Sequence, residues 1–313
     1  MYKNFLETIR AYDTIILHRH NNPDGDALGS QIGMKHILKA NFPEKHVYMV
    51  GDGAGRYSFM EDCVMDVIPD ICYNGALAII LDTSAPHLIS DDRYKLAEKT
   101  LRMDHHLFCG VIADVEVVDS TFESCCGLVT DFAVQSGLSL TPLAAKSLYT
   151  GMVTDSGRFR YDATTAKTFY LASKLMEQPF DISAIYSNLY ADDFSRIRRR
   201  AEFVLKIQFT EKNVAYIYTT RDEVAQLGMD TFSISRGMVS TMSDIRGVDI
   251  WVNFTETDAG VLCELRSGKY NINPIAVKYG GGGHAKASGA CVTDRQTAMS
   301  MLRDLDAIME ENQ

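Results

Sequence analysis

A chain of 313 residues, 46% apolar and 23% charged, is long enough for two hydrophobic cores, and its composition excludes a disordered, collagen-like or disulfide-framed protein. A formal net charge of −10 disfavours the basic surface that grips long duplex nucleic acid but leaves small anions open, because bound dications would reset the local field. Seven cysteines without a Cys-x-x-Cys pair, an N-terminus with no leader pattern and no membrane-length apolar run lead us to expect a soluble cytoplasmic protein with reduced thiols.

In chain order, the first half alternates short β-branched runs with amphipathic ones. Strands are predicted at 14–18, 47–50, 77–81, 101–103 and 115–118, with a helix over 27–39. The run Ala76-Leu77-Ala78-Ile79-Ile80-Leu81 has no polar member, as suits a parallel strand covered on both faces and joined by right-handed crossovers. The expected fold class is therefore α/β, with a doubly wound, mostly parallel sheet in the N-terminal domain. From Ser124 to about residue 208 the pattern turns helical; Thr141-Pro142 opens one helix and Gly137 closes the one before. Residues 192–208 read as a helix with Phe203, Val204 and Ile207 on one face, and Arg196-Ile197-Arg198-Arg199-Arg200 as its solvated side. Strands follow at 214–219, 250–256 and 261–266, and Thr293-Asp294-Arg295-Gln296 has capping-box form before a last helix. The expected domains are a catalytic one over 1–190, a linker helix over 191–208 and a smaller α/β one over 209–313.

Four short segments carry the chemistry: His20-Asn21-Asn22-Pro23-Asp24-Gly25-Asp26, Leu81-Asp82-Thr83, Asp104-His105-His106 and Thr154-Asp155-Ser156-Gly157. At least three follow strand-like runs, and strand ends are where open α/β sheets gather their ligands. Pro23 and Gly25 bend the chain so that His20, Asp24 and Asp26 converge, and aspartates two apart can address two ions. Ordinary roles stand beside these. Asp24 and Asp26 suit a turn and the N-cap of a helix near Ala27, with Asp26 able to serve both purposes; Asp82 suits a turn capping a helix near Pro86, and Asp155 a C-terminal turn. Three polar groups at Asp104-His105-His106, directly after a buried strand, must be solvated, bonded or liganded, and ligation is preferred. Oxygen donors with added imidazoles favour a hard dication, manganese first, with magnesium or cobalt as alternatives. His18, His36, His46 and His87 read as structural. The run Gly280-Gly281-Gly282-Gly283 allows backbone amides to face a phosphate, with His284 and Lys286 adding charge, though a bare glycine run also makes a plain turn.

These four motifs resemble those of the DHH phosphoesterase family, named for the tripeptide found here at 104–106. The stretch Gly280-Gly281-Gly282-Gly283-His284-Ala285-Lys286-Ala287-Ser288-Gly289 resembles the glycine-rich signature of the family's associated C-terminal domain. The resemblance implies an active site in the cleft between the domains. It implies that His20 and Asp24 hold one of two divalent ions, that Asp26, His105 and Asp155 hold the other, and that Asp82 bridges both. His106 would then contact the phosphate and protonate the leaving oxygen, with Asp104 supporting the histidines, while a hydroxide bridging the two ions attacks in line. Arg266, Ser267, Gly281, Gly282, Gly283, His284 and Lys286 would bind substrate. The implied activity is hydrolysis of very short oligoribonucleotides or of 3′-phosphoadenosine 5′-phosphate. The alternatives are a phosphodiesterase for linear or cyclic dinucleotides, a pyrophosphatase and a non-catalytic nucleotide sensor. Thr83-Ser84-Ala85-Pro86-His87 departs from the Thr-Ser-Asp-like stretch and arginine of related nucleases, which puts substrate preference in doubt. Neither a membrane nor a long duplex is an expected partner, and a homodimer is left open.

Overall fold

A computed structural model describes residues 2–311, and the chain divides into two compact units, Met1–Ala191 and Asp192–Gln313. No helix among the described residues is long and apolar enough to cross a membrane.

The first unit opens with α1 (Lys3–Ala11), β1 (Thr14–His18), α2 (Gly25–Asn41), β2 (His46–Met49), β3 (Leu77–Leu81), β4 (Lys99–Asp104) and β5 (Val115–Val118). It continues through α3 (Cys125–Gln135), α4 (Pro142–Asp155), α5 (Ala166–Met176) and α6 (Ile182–Tyr190). Its five strands pair in parallel in the order β2-β1-β3-β4-β5, so the chain leaves β1 in one direction and returns past it to build β3 on the other side. The crevice for ligands in such a sheet lies at that reversal, beyond the C-terminal ends of β1 and β3. Both faces are covered, which explains the apolar runs. Ile15, Leu17, Leu77, Ile79 and Leu81 join the core beneath the helices, while Ile16, Ala78 and Ile80 pack on the other face against residues from short 3₁₀ turns, such as Tyr73 and Tyr94.

Helix α2 lies antiparallel against α4 at very close range. A Cβ at Gly25 would sit 2.5 Å from Thr154 Oγ1, one at Gly29 2.6 Å from the Ser147 carbonyl, and one at Gly33 2.6 Å from Leu148 Cδ2. The spacing of four keeps these three glycines on one face. It also sets the N-terminus of α2 beside the C-terminus of α4, which brings the first and last candidate motifs together.

His18 is fully buried at the end of β1, with its Nε2 3.4 Å from Tyr73 Oη and its ring between Tyr73 and Tyr94. Burial pushes its pKa down to about 4 despite the favourable charge of Asp91. Because the unfolded histidine titrates near 6.5, the unfolded chain binds more protons between those two values, so this residue's contribution to stability is lost as pH falls from about 6.5 to about 4. We expect His18→Phe to remove roughly 3 kcal/mol of acid sensitivity across that window. Urea unfolding of both proteins at pH 7 and pH 4.5 measures the difference, and parallel pH slopes would refute a buried neutral imidazole.

The second unit contains α7 (Phe194–Leu205), β6 (Gln208–Phe209), β7 (Ala215–Thr219), α8 (Arg221–Leu227), β8 (Ile250–Thr257), β9 (Gly260–Ser267), α9 (Asn273–Lys278), β10 (Gly282–His284), β11 (Ala287–Val292) and α10 (Arg295–Glu311). Its sheet runs β10-β11-β9-β8-β7-β6, antiparallel except where β7 meets β8. One core joins β8 and β9 to Ala298, Met301, Leu302 and Leu305 of α10, and the other joins Ile217 and Trp251 to Phe203 of α7. Two expectations are corrected here. The last helix is capped by Asp294, whose carboxylate accepts from Thr297 N at 2.8 Å, instead of by a Thr293–Gln296 box. The glycine run is half strand, because Gly282, Gly283 and His284 pair with Gly289, Ser288 and Ala287. A strand this rich in glycine has no side-chain pattern to betray it.

Candidate metal centre

Helix α2 begins at Gly25, so its N-cap is Asp24 and not Asp26: Asp24 Oδ1 accepts from the Asp26 and Ala27 amides at 2.9 and 3.0 Å. Asp26 is buried in the first turn, and its two oxygens accept from the Cys125 and Cys126 amides at 2.7 and 2.8 Å. A carboxylate of α2 thereby satisfies the free amides at the start of α3, where the helix dipole favours negative charge.

Asp82 follows β3 with φ of 49°, an uncommon backbone for a side-chain-bearing residue that turns its carboxylate toward the strand ends. It is 2% exposed, with Oδ2 3.4 Å from His20 Nε2 and Oδ1 3.5 Å from His105 Nε2. Oδ1 has no hydrogen-bond partner, and a buried anionic oxygen left unpaired is costly. The 3₁₀ turn at Pro86–Leu88 is not capped by Asp82. Asp155, the last residue of α4, places Oδ2 3.3 Å from His105 Nε2, and Asp26 Oδ2 lies 3.7 Å from the same nitrogen.

Both candidate ligand imidazoles are oriented alike. His20 Nδ1 donates to the Asn21 carbonyl at 2.7 Å and His105 Nδ1 faces the Phe122 carbonyl at 3.3 Å, so each Nε2 points at carboxylates. Pinning one ring nitrogen on a carbonyl is how proteins fix a metal-binding tautomer. Among the described residues three clusters result, His20–Asp24–Asp82, Asp26–His105–Asp155 and Asp82–His105–His106, each with donor atoms within 4.8 Å of one another. His106 differs from the other two histidines: its Nδ1 donates to Asp104 Oδ1 at 2.7 Å, and its side chain is half exposed. Asp104 touches His106 and not His105, so the expected support of both histidines reduces to one.

The ionisation pattern fits a site built for cations. Burial, then the charges of Asp82, Asp155 and Asp24, holds the Asp26 carboxyl well above its ordinary range. Burial and the neighbouring carboxylates push Asp155 up to about 6 against the pull of His105. Burial opposes charge on His20, but the hydrogen bond and charge of Asp82 outweigh it and raise the imidazole to about 9. Carboxylates this crowded keep protons until a stronger positive charge replaces them. The unpaired Asp82 oxygen, the outward Nε2 atoms and this donor set together suit divalent cations.

Two buried arginines brace these loops, and sequence reasoning missed both. Arg102, in β4, bonds Asp104 Oδ2 at 2.5 Å and the Thr83 carbonyl at 3.0 Å. Arg19 bonds Asp52 Oδ1 at 2.6 Å and the His20 carbonyl at 2.9 Å, and Asp52 in turn accepts from Asn22 N at 2.8 Å. Arg102 between Leu101 and Met103 was the available signal, since a buried arginine must be paired; Arg19, between His18 and His20 beyond the end of β1, had none.

The second-unit candidates share β9 and the β10–β11 hairpin. Arg266 is engaged by Glu264 Oε2 at 3.1 Å and its neighbour's carbonyl at 2.8 Å. Ser267 is buried, with its hydroxyl donating to the Asp249 carbonyl and accepting from the Lys269 and Tyr270 amides. Gly281 and Gly283 lie against the facing strand, where a Cβ would strike Gly289 and Ala287 backbone oxygens, whereas Gly282 faces open space. His284 and Lys286 are exposed.

Residues 14–152 match the DHH family, N-terminal domain, and residues 214–311 the DHHA1 domain. The protein is 34% identical over 316 residues to the bifunctional oligoribonuclease and PAP phosphatase NrnA of Bacillus subtilis, with 100% of both chains covered. The chain belongs to the DHH family. A probable bifunctional oligoribonuclease and PAP phosphatase NrnA of Streptococcus mutans is 36% identical across 92% of this chain and 93% of its own. The crystal structure of an exopolyphosphatase-related protein from Bacteroides fragilis shares the fold, with a TM-score of 0.82 at 23% identity over 98% of this chain and 96% of that one. DHH phosphoesterases are metal-dependent, and the histidine and aspartate clusters of this DHH domain could hold metal.

Proposed function

We propose that the protein hydrolyses very short oligoribonucleotides to mononucleotides and removes the 3′-phosphate of 3′-phosphoadenosine 5′-phosphate. The observation that carries this reading is the convergence of six donor side chains around Asp82 at the sheet's reversal point, in a chain 34% identical end to end to an oligoribonuclease and PAP phosphatase. In this reading residues 1–190 carry the chemistry, 191–208 link, and 209–313 bind substrate, with exposed His284 and Lys286 beside Gly282 supplying charge. Seven free cysteines agree with a reducing cytoplasm.

Two divalent ions, manganese by preference, would be held by His20 and Asp24 on one side and by Asp26, His105 and Asp155 on the other, with Asp82 shared. Such ions supply Lewis-acid charge and a water of lowered pKa. The chain's own residues then divide the remaining work. Four aspartates balance two dications, so the centre itself stays close to neutral. His106 keeps Nδ1–H on Asp104, which holds the ring in one orientation and leaves Nε2 to deliver a proton to the leaving oxygen. Asp104 is kept ionised for this: burial resists, but His106 and Arg102 hold its pKa below the ordinary carboxylate range.

Initial rates of the manganese-loaded protein on 3′-phosphoadenosine 5′-phosphate, a di-adenylate, a five-nucleotide RNA, a long RNA, cyclic di-AMP and pyrophosphate test the proposal. The first three should exceed the others by at least about tenfold in kcat/KM. A preference for long RNA, cyclic di-AMP or pyrophosphate would overturn it.

A further inference from the structure

Two residues after Asp155 the backbone enters a region that side-chain-bearing residues avoid: Gly157, Arg158 and Phe159 have φ of 57°, 64° and 61°. Two successive non-glycine residues in the left-handed region persist only where the surroundings over-determine them, and such strain gathers at functional sites. Here the Arg158 amide donates to the Val153 carbonyl at 2.8 Å and the Phe159 amide to Ser156 Oγ at 2.8 Å, while that hydroxyl donates to the Met152 carbonyl at 2.5 Å. Gly157 is forced as well, because the Tyr161 ring lies where its Cβ would be.

The turn sends its two large side chains in opposite directions. Phe159 packs inward, its ring 5.9 Å from Tyr149 and 5.5 Å from Phe169. Arg158 is exposed, its guanidinium carbon 4.6 Å from the centroid of Tyr190 at the end of α6. Among the described residues it has no ion-pair partner. Arg160 is turned back, its Nε donating to the Gly157 carbonyl at 3.0 Å, and the buried Arg19 and Arg102 are committed to Asp52 and Asp104. An unneutralised guanidinium, held over a tyrosine ring, therefore stands three residues along the chain from a candidate metal ligand.

We propose that Arg158 recognises a second phosphate of the substrate, the one that is not cleaved. This rests on the phosphoesterase reading above. The carboxylates of the centre offset the charge of two dications, so a further phosphate gains nothing there and needs a cation of its own. A guanidinium offers paired donors to phosphate oxygens, and its contact with the Tyr190 ring restrains the side chain so that less rotamer freedom is lost on binding. Arg266, the cation expected to bind substrate, has its Nη1 engaged by Glu264 and the Leu265 carbonyl.

The test compares kcat/KM of the manganese-loaded protein for 3′-phosphoadenosine 5′-phosphate and for adenosine 3′-phosphate, which lacks only the non-scissile phosphate. Wild type should prefer the bisphosphate. Arg158→Ala should fall by about 10- to 30-fold on it and by less than about threefold on the monophosphate, and Arg158→Lys should recover part of the loss. Equal falls on both substrates, no fall on either, or a preference erased by Arg266→Ala but not by Arg158→Ala would each overturn the assignment. A wild type that cleaves both substrates equally well overturns this inference alone, whereas one that cleaves neither overturns the proposed function and this inference with it.

Discussion

Asp82→Ala is expected to abolish turnover, a fall of at least about 10³-fold in kcat/KM or roughly 4 kcal/mol of transition-state stabilisation, and to leave neither ion firmly held. The reason is position. Asp82 is 2% exposed, and its two oxygens face different imidazoles, Oδ2 that of His20 and Oδ1 that of His105. No other carboxylate of the centre approaches both of these nitrogens within 4.0 Å. Alanine also fits the φ of 49° poorly, so Asp82→Asn, whose short polar side chain tolerates that backbone, serves as the companion variant. Elemental analysis of the purified variants gives the stoichiometry. Two ions retained at a near-normal rate in either variant would show that the centre lies elsewhere.

The two adjacent histidines should fail differently when replaced. His106→Ala should lose about 10²-fold or more in kcat while keeping its metal, the usual reach of a positioned proton donor. His105→Ala should lose metal, because its Nε2 lies within 3.7 Å of oxygens from Asp26, Asp82 and Asp155, whereas His106 Nδ1 is taken up by Asp104 at 2.7 Å. Metal content and kcat measured on both variants separate the roles. A metal-deficient His106→Ala beside a metal-replete His105→Ala would exchange them.

Much of this centre is legible in the amino-acid sequence, because hard-cation chemistry needs oxygen and imidazole donors and open sheets present them at strand ends. The apolar run at 76–81 marks a strand buried on both faces, and the polar residue that ends it is Asp82. Which carboxylate serves which backbone is not legible there. Asp24 caps α2 and Asp26 reaches across to α3, the reverse of the simplest local reading, since the helix starts earlier than its apolar pattern. The hairpin through Gly282 is hidden for a related reason: strand pairing is a property of the partner, and glycine carries no alternation to announce it.

By itself the sequence determined the types of donor, their order along the chain and the two-domain α/β architecture, all of which follow from composition and local period. The tertiary structure decided which donors meet. Only the close packing of α2 on α4 through Gly25, Gly29 and Gly33 sets Asp26 and Asp155 around one imidazole, though they are remote in sequence. Only folding buries Arg19 and Arg102 against their carboxylates while leaving Arg158 exposed over Tyr190. The physical reason is that a charge acquires its role from burial and partners, and these are set by contacts between elements distant in the chain.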